Sequence, residues 1–206
     1  YCEGYIAERR SNPREDVLTE FATARYPDGS LPSTEDLINN AQFLFGAGQD
    51  TSAKLLGNAM RYLAMDPELQ RSVREDRKLI PALLEEVLRL EGSTKATFRL
   101  ARRNTRIGAV EIPAGKTIIV ALAAANRDPA RWDDPAQFRL HRERIKEHLA
   151  FGRGAHTCIG NPLARAEIRV ILNHFLDQTA DITLSETHHG APGNREFSYE
   201  PTYIIR

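Results

Sequence analysis

The chain has 206 residues, with 28 Lys plus Arg against 28 Asp plus Glu and a formal net charge of zero. That balance leaves no electrostatic reason to expect a nucleic-acid or acidic-membrane partner, and an apolar content of 41% is ordinary for a globular chain with one buried core. Two cysteines, Cys2 and Cys158, make no disulfide framework, so a reducing, cytoplasmic setting is expected.

No apolar run approaches the roughly 20 residues of a membrane helix. No signal peptide is read either, although the chain opens on Tyr1 and not on Met. Residues 2–10 read as the end of a helix. Residues 13–25, "PREDVLTEFATAR", predict a second helix with Pro13 at its first position. "YPDGSLP" (26–32) is a turn. A long helix is predicted over 33–65, opened by a capping box of Ser33 and Asp36. Asp66 caps the next helix; Pro81 opens the one after it, "PALLEEVLRLEG", and Gly92 closes that one.

Residues 97–123 change character. "TFRLARR", "AVEIP" and "TIIVALA" are strand-like and are split by Asn, Gly and Pro. The longest apolar run, "IIVALAAA" (118–125), predicts a buried strand or core segment. Residues 124–150 read as irregular, 162–178 as a helix, and "DITLSE" and "FSYEPTYII" as two closing strands. The fold class is mainly α with minor β-sheets. No strand–helix alternation points to a parallel nucleotide-binding sheet.

Residues 37–63 are apolar nearly all round, which places that helix in a core. "GAGQDT" (46–51) interrupts them. One reading is a glycine kink with Asp50 on a solvent-facing strip. The other is a groove, in which Ala47 and Gly48 admit something bulky while Asp50 and Thr51 relay protons into a buried site. Glu86 and Arg89 are spaced i, i+3 and meet on one helix face. Periodicity sets Arg89 opposite Leu83, Leu84, Val87 and Leu88, so the pair alone reads as a solvated salt bridge.

The segment "FGRGAHTCIG" (151–160) runs directly into the helical "NPLARAEIRVIL". A thiol at a helix amino end is favoured as thiolate, and Gly152, Gly154 and Gly160 permit a tight loop around it. Zinc fits poorly, for there is no CxxC, no HExxH and no second cysteine nearby. A cysteine nucleophile with His156 as base is disfavoured, because residues two apart in a tight loop rarely converge. A dinucleotide loop lacks its third glycine. A buried, inert cysteine leaves the glycines unexplained. The remaining candidate is a haem iron with a single thiolate ligand.

"FGRGAHTCIG" resembles the haem-binding signature of the cytochrome P450 family in its soluble bacterial form. Further segments agree in the family's order. "AGQDT" (47–51) resembles the oxygen-activation segment, "EEVLR" (85–89) the Glu-x-x-Arg pair, and "ANRDP" (125–129) with "FRLHR" (138–142) the approach to the cysteine loop. The resemblance implies a cytochrome P450 fold that is incomplete, with the amino-terminal half absent, and residues 1–206 as its carboxy-terminal, haem-binding part. It implies haem b as cofactor, with Cys158 as the metal ligand. Phe151, Gly152, Gly160 and Ala164 would shape the sulfur side, and His156 and Arg99 would meet the propionates. On the opposite side Ala47 and Gly48 would clear space, with Asp50 and Thr51 as the catalytic proton relay. Glu86, Arg89 and Arg142 would form a buried charge network.

Leu44, Lys95 and Thr97 are the candidate substrate contacts, Lys95 hinting at a polar or anionic substrate group. Arg102, Arg103, Arg106, Arg139, Arg144 and Arg153 would offer a docking face to an acidic ferredoxin or flavoprotein. The implied activity is a monooxygenase using O2 on a small, apolar organic substrate, cytoplasmic, with neither nucleic acid nor membrane as partner. The competing classes are an inactive, haem-binding remnant and a cysteine hydrolase.

Overall fold

In the computed structural model, residues 2–185 are described, so the predicted strand in "FSYEPTYII" lies outside the described residues. The chain divides into two compact units, residues 1–50 and 51–206. In the first, α1 (Cys2–Ser11) and α2 (Val17–Thr23) lead into α3 (Thr34–Met65). α2 starts later than predicted, and Pro13 lies ahead of it. The reason is Asp16, whose carboxylate accepts the Thr19 N–H at 2.7 Å as a helix cap and the Arg9 Nε–H at 2.7 Å. Ile6, Ala22 and Leu37 form a small core. Arg10 donates to the carbonyls of Ala22 (3.0 Å) and Pro32 (2.9 Å), tying α1 to the end of α2 and the start of α3. At the start of α3, Ser33 Oγ accepts the Asp36 N–H at 3.0 Å.

α3 continues as helix through residues 46–51 without a break, so no interruption marks the glycines. The expectation of a fully buried apolar helix fails in its middle: Phe43 is 68% and Phe45 71% exposed, and Leu44 is exposed as well. Apolar character on every face shows only that burial is favourable; a neighbour must still be there to provide it.

The second unit is built on helical periodicity. Leu55, Ala59 and Leu63 of α3, Leu69 and Val73 of α4 (Pro67–Glu75), and Ile168, Leu172 and Leu176 of α7 (Asn161–Gln178) repeat every fourth residue. They close around Ile80, Leu83, Leu84, Val87 and Leu88 of α5 (Ile80–Glu91). Asp66 caps α4 through the Leu69 N–H at 3.0 Å. Gly92 closes α5 for an unexpected reason. Its φ is −48°, open to any residue, but an added Cβ would lie 2.9 Å from the Leu88 carbonyl and 3.1 Å from the Ala150 Cβ.

Two antiparallel pairs follow. β1 (Thr97–Leu100) pairs with β4 (Thr117–Val120), with Arg99 opposite Ile118. β2 (Thr105–Ile107) pairs with β3 (Val110–Ile112). The run 118–125 is not a buried strand: it splits into β4 and the short α6 (Leu122–Ala125), Ile119 is exposed, and Leu122 is its buried anchor. "DITLSE" forms no strand over its described residues 181–185. The Gln70 side chain takes the place of a partner strand, accepting the Ile182 N–H and donating to its carbonyl, both at 2.9 Å.

Two adjacent acids organise α5. Glu86 and Arg89 are both 0% exposed, against the periodicity reading. Arg89 meets both Glu86 oxygens, at 2.8 and 2.7 Å, and Arg142 Nε reaches Glu86 Oε1 at 3.0 Å. One anion faces two cations. The excess positive charge is met by the backbone carbonyls of Asn126, Asp133, Asp134, Pro135 and Gln137. The charged face of α5 is therefore covered by residues 126–142, a stretch with no regular element to hold it. Asn126 also accepts the Leu149 N–H at 2.7 Å.

Glu85 faces elsewhere, and sequence reasoning missed it. Its oxygens receive Arg165 Nε at 2.5 Å, Arg165 Nη2 at 2.9 Å and His148 Nε2 at 3.0 Å. Burial pushes its carboxyl up, but the hydrogen bonds from Arg165 and His148 and the charge of Arg165 outweigh this and hold it at about 2.

Replacing Glu86 with Gln leaves two buried guanidinium groups short of their anion. We expect a loss of about 3–5 kcal/mol, read from the midpoint of urea unfolding. Glu85 has a depressed folded value, so its contribution is complete above the ordinary 4.5 and is lost as pH falls from there towards about 2. Glu85→Gln should flatten the dependence of the urea midpoint on pH across that window.

Candidate active site around Cys158

The cysteine loop is folded by its own backbone. Gly152 and Gly154 have φ of +68° and +87°, values that a side chain disfavours. The Gly152 N–H reaches the Leu149 carbonyl at 2.9 Å, and the Thr157 N–H the Gly154 carbonyl at 3.0 Å. The Cys158 N–H closes the loop on the Phe151 carbonyl at 2.9 Å. Helix α7 begins three residues after the cysteine, and no side chain caps it at Gly160. The Asn161 N–H points back to the Cys158 carbonyl at 3.3 Å, so the sulfur does not take that donor.

The thiol is exposed. A Cβ added at Gly160 would lie 3.8 Å from Sγ, and a larger side chain would crowd the sulfur. Ile159 and Leu163, its neighbours in sequence, are exposed too. Among the described residues no group of three or more His, Cys, Asp or Glu could hold a metal ion. A single open sulfur with apolar flanks and no protein co-ligands suits an iron that already carries a flat macrocycle's nitrogens. The residues therefore fit haem.

The loop brings Phe151, Gly152, Cys158 and Gly160 together, and Glu86, Arg89 and Arg142 are joined as described. Phe151 is half-buried, with the Arg165 guanidinium 4.6 Å from its ring centre. Ala164 is half-buried on the first turn of α7. His156 is exposed in the loop; Arg99 is exposed on β1 and donates to the Phe98 carbonyl at 2.8 Å.

On α3, Leu44, Ala47, Gly48, Asp50 and Thr51 are exposed, and among the described residues a Cβ at Gly48 would meet nothing within 4 Å. The Thr51 carbonyl accepts Ser93 Oγ at 2.8 Å. Thr97 starts β1 opposite Val120. Lys95 lies 3.1 Å from Glu91, and its side chain stays exposed. Of the six arginines expected on a docking face, Arg139 pairs with Asp134, and Arg144 with Glu147. Arg102, Arg103, Arg106 and Arg153 are exposed. Among the described residues no helix is long and apolar enough to cross a membrane.

The profile of a family described as Cytochrome P450 matches residues 3–179. Cytochrome P450 144 of Mycobacterium tuberculosis is 38% identical over 187 residues, covering 89% of this chain and 43% of that protein. Cytochrome P450 monooxygenase PikC of Streptomyces venezuelae is 36% identical over 207 residues, 100% of this chain and 48% of that one. Among solved structures, Mycobacterium marinum cytochrome P450 CYP150A6 in its substrate-free form shows 51% identity and a TM-score of 0.91, covering 98% of this chain and 50% of its own. The chain thus spans about half the length of the relatives it matches. Likeness of this extent, in sequence and in fold, admits one conclusion: the chain belongs to the cytochrome P450 family.

Proposed function

We propose that residues 1–206 form the carboxy-terminal, haem-binding part of a cytoplasmic haem-thiolate monooxygenase. The reading rests on the lone, open thiol of Cys158 in a glycine-turned loop ahead of α7. Haem b bound there supplies the redox chemistry: with two electrons from a ferredoxin or flavoprotein and two protons, one oxygen atom of O2 enters a small apolar substrate and the other leaves as water.

The chain's own groups divide the remaining work. Cys158 gives its thiolate to the metal, and Phe151 and Ala164 bound its surroundings. Gly152 and Gly160 keep the sulfur's approach open. His156 and Arg99 present hydrogen-bond donors suited to two carboxylates. On α3, Ala47 and Gly48 leave room beside the helix, and Asp50 and Thr51 move protons inward from solvent. Leu44 and Thr97 offer apolar contact to substrate. The exposed Phe43 and Phe45 belong to a face that the other half of a full-length family member covers. The second reading is a catalytically inactive fragment or haem-binding remnant of such an enzyme.

Haem offered under reducing conditions should give a red-shifted ferrous–CO Soret band that Cys158→Ala abolishes. Wild-type protein without that band overturns the proposal, and hydrolysis sensitive to thiol alkylation in haem-free protein would replace it. Turnover with a surrogate reductase separates the enzyme from the remnant. In a preparation that turns over, Thr51→Ala should impair the O2-driven reaction and spare the peroxide-driven one.

A further inference from the structure

Arg165, on the second turn of α7, reaches in three directions. Nε and Nη2 grip both oxygens of Glu85, at 2.5 and 2.9 Å. Nη1 donates to Asn161 Oδ1 at 3.0 Å. The guanidinium carbon lies 4.6 Å from the centre of the Phe151 ring. Glu85 is fixed from its other side by His148 Nε2 at 3.0 Å, and His148 Nδ1 accepts the Ala150 N–H at 3.2 Å. Those two partners assign the imidazole tautomer, with the proton on Nε2.

Phe151 and Asn161 are also the residues that hold the peptide groups of Cys158. The Phe151 carbonyl takes its N–H at 2.9 Å, and the Asn161 N–H reaches its carbonyl at 3.3 Å. One guanidinium therefore clamps both ends of the loop, and those ends hold the cysteine. Beyond these ties the loop is held by its own backbone, through the Gly152 N–H to the Leu149 carbonyl and the Thr157 N–H to the Gly154 carbonyl. Two of its glycines lie at positive φ, its cysteine is exposed, and its following helix has no side-chain cap. The clamp itself is anchored, because the Glu85 side chain is buried on α5, the central helix of the unit.

We propose that Glu85 and Arg165 are positioning residues for Cys158: the bidentate pair presets the loop so that the sulfur is already aimed before any metal arrives. Neither touches the sulfur; both act through Phe151 and Asn161. The proposal rests on the haem-thiolate reading for what the sulfur is aimed at, but not for the clamp.

Amide hydrogen exchange on the haem-free chain tests the clamp. Arg165→Ala should speed exchange at residues 151–161 by about tenfold or more, the loss of a charge-assisted hydrogen bond, with α4 and the start of α5 unchanged. Arg165→Lys keeps the charge but loses the fork and the stack, and should fall between; it serves as the readout if the alanine variant does not fold. Adding Glu85→Gln to Arg165→Ala should not speed the loop further, since the two act as one unit. Unchanged exchange in the loop overturns the proposal, as does a rise of equal size in α4 and α5, the mark of a merely structural ion pair. With haem bound, Arg165→Ala should lower the fraction of protein showing the red-shifted ferrous–CO band. If the wild-type chain never shows that band, the haem-thiolate reading falls while the exchange measurement still decides on the clamp.

Discussion

The buried carboxylate of Glu86 is the constraint on which the second unit depends. It faces two guanidinium groups, and one anion cannot neutralise two cations. The remainder is absorbed by backbone carbonyls from residues 126–137, which must converge to do so. Electrostatics thereby orders a stretch that no helix or sheet ladder organises. Such a cluster contributes less to net stability than its contacts suggest, because burying the charges is expensive. It contributes selectivity among conformations, since few chain paths supply that many acceptors at one point. Trp132, whose ring centre is 5.5 Å from the Arg89 guanidinium, closes the cluster on another side.

Helix α5 is consequently a strut with three differently loaded sides. Leu83, Leu84, Val87 and Leu88 enter the apolar core. Glu86 gathers the irregular segment. Glu85 reaches Arg165 and His148, and through them the residues around the cysteine. The sulfur stays open to solvent while everything that orients it is tied inward. The proposed haem-thiolate role calls for that separation: the ligand atom must be reachable, and its direction must not wander.

Much of this architecture was legible wherever the cause is local. Ser33, Asp66 and Pro81 mark helix starts because caps are satisfied within one turn of the chain. The apolar repeats of α4, α5 and α7 are likewise visible at a glance. The start of α2 was hidden because Asp16 is recruited by Arg9, a residue on another helix. The burial of Arg89 was invisible to periodicity because its cover is not a helix or sheet with a pattern of its own. The exposure of Phe43 and Phe45 contradicts hydropathy because composition cannot say whether a neighbour exists. Cys158 was readable from its glycines; Glu85, His148 and Arg165 were not, since they lie on three separate segments that meet only in three dimensions.

Gly92 carries a consequence of its own. The end of α5 and Ala150 approach so closely that an alanine there would set its Cβ 3.1 Å from that of Ala150. Ala150 immediately precedes the loop that carries Cys158. The clearance between the central strut and that segment is thus a mechanical tolerance set by the absence of one methyl group, and widening it would tilt the mount on which the sulfur is carried.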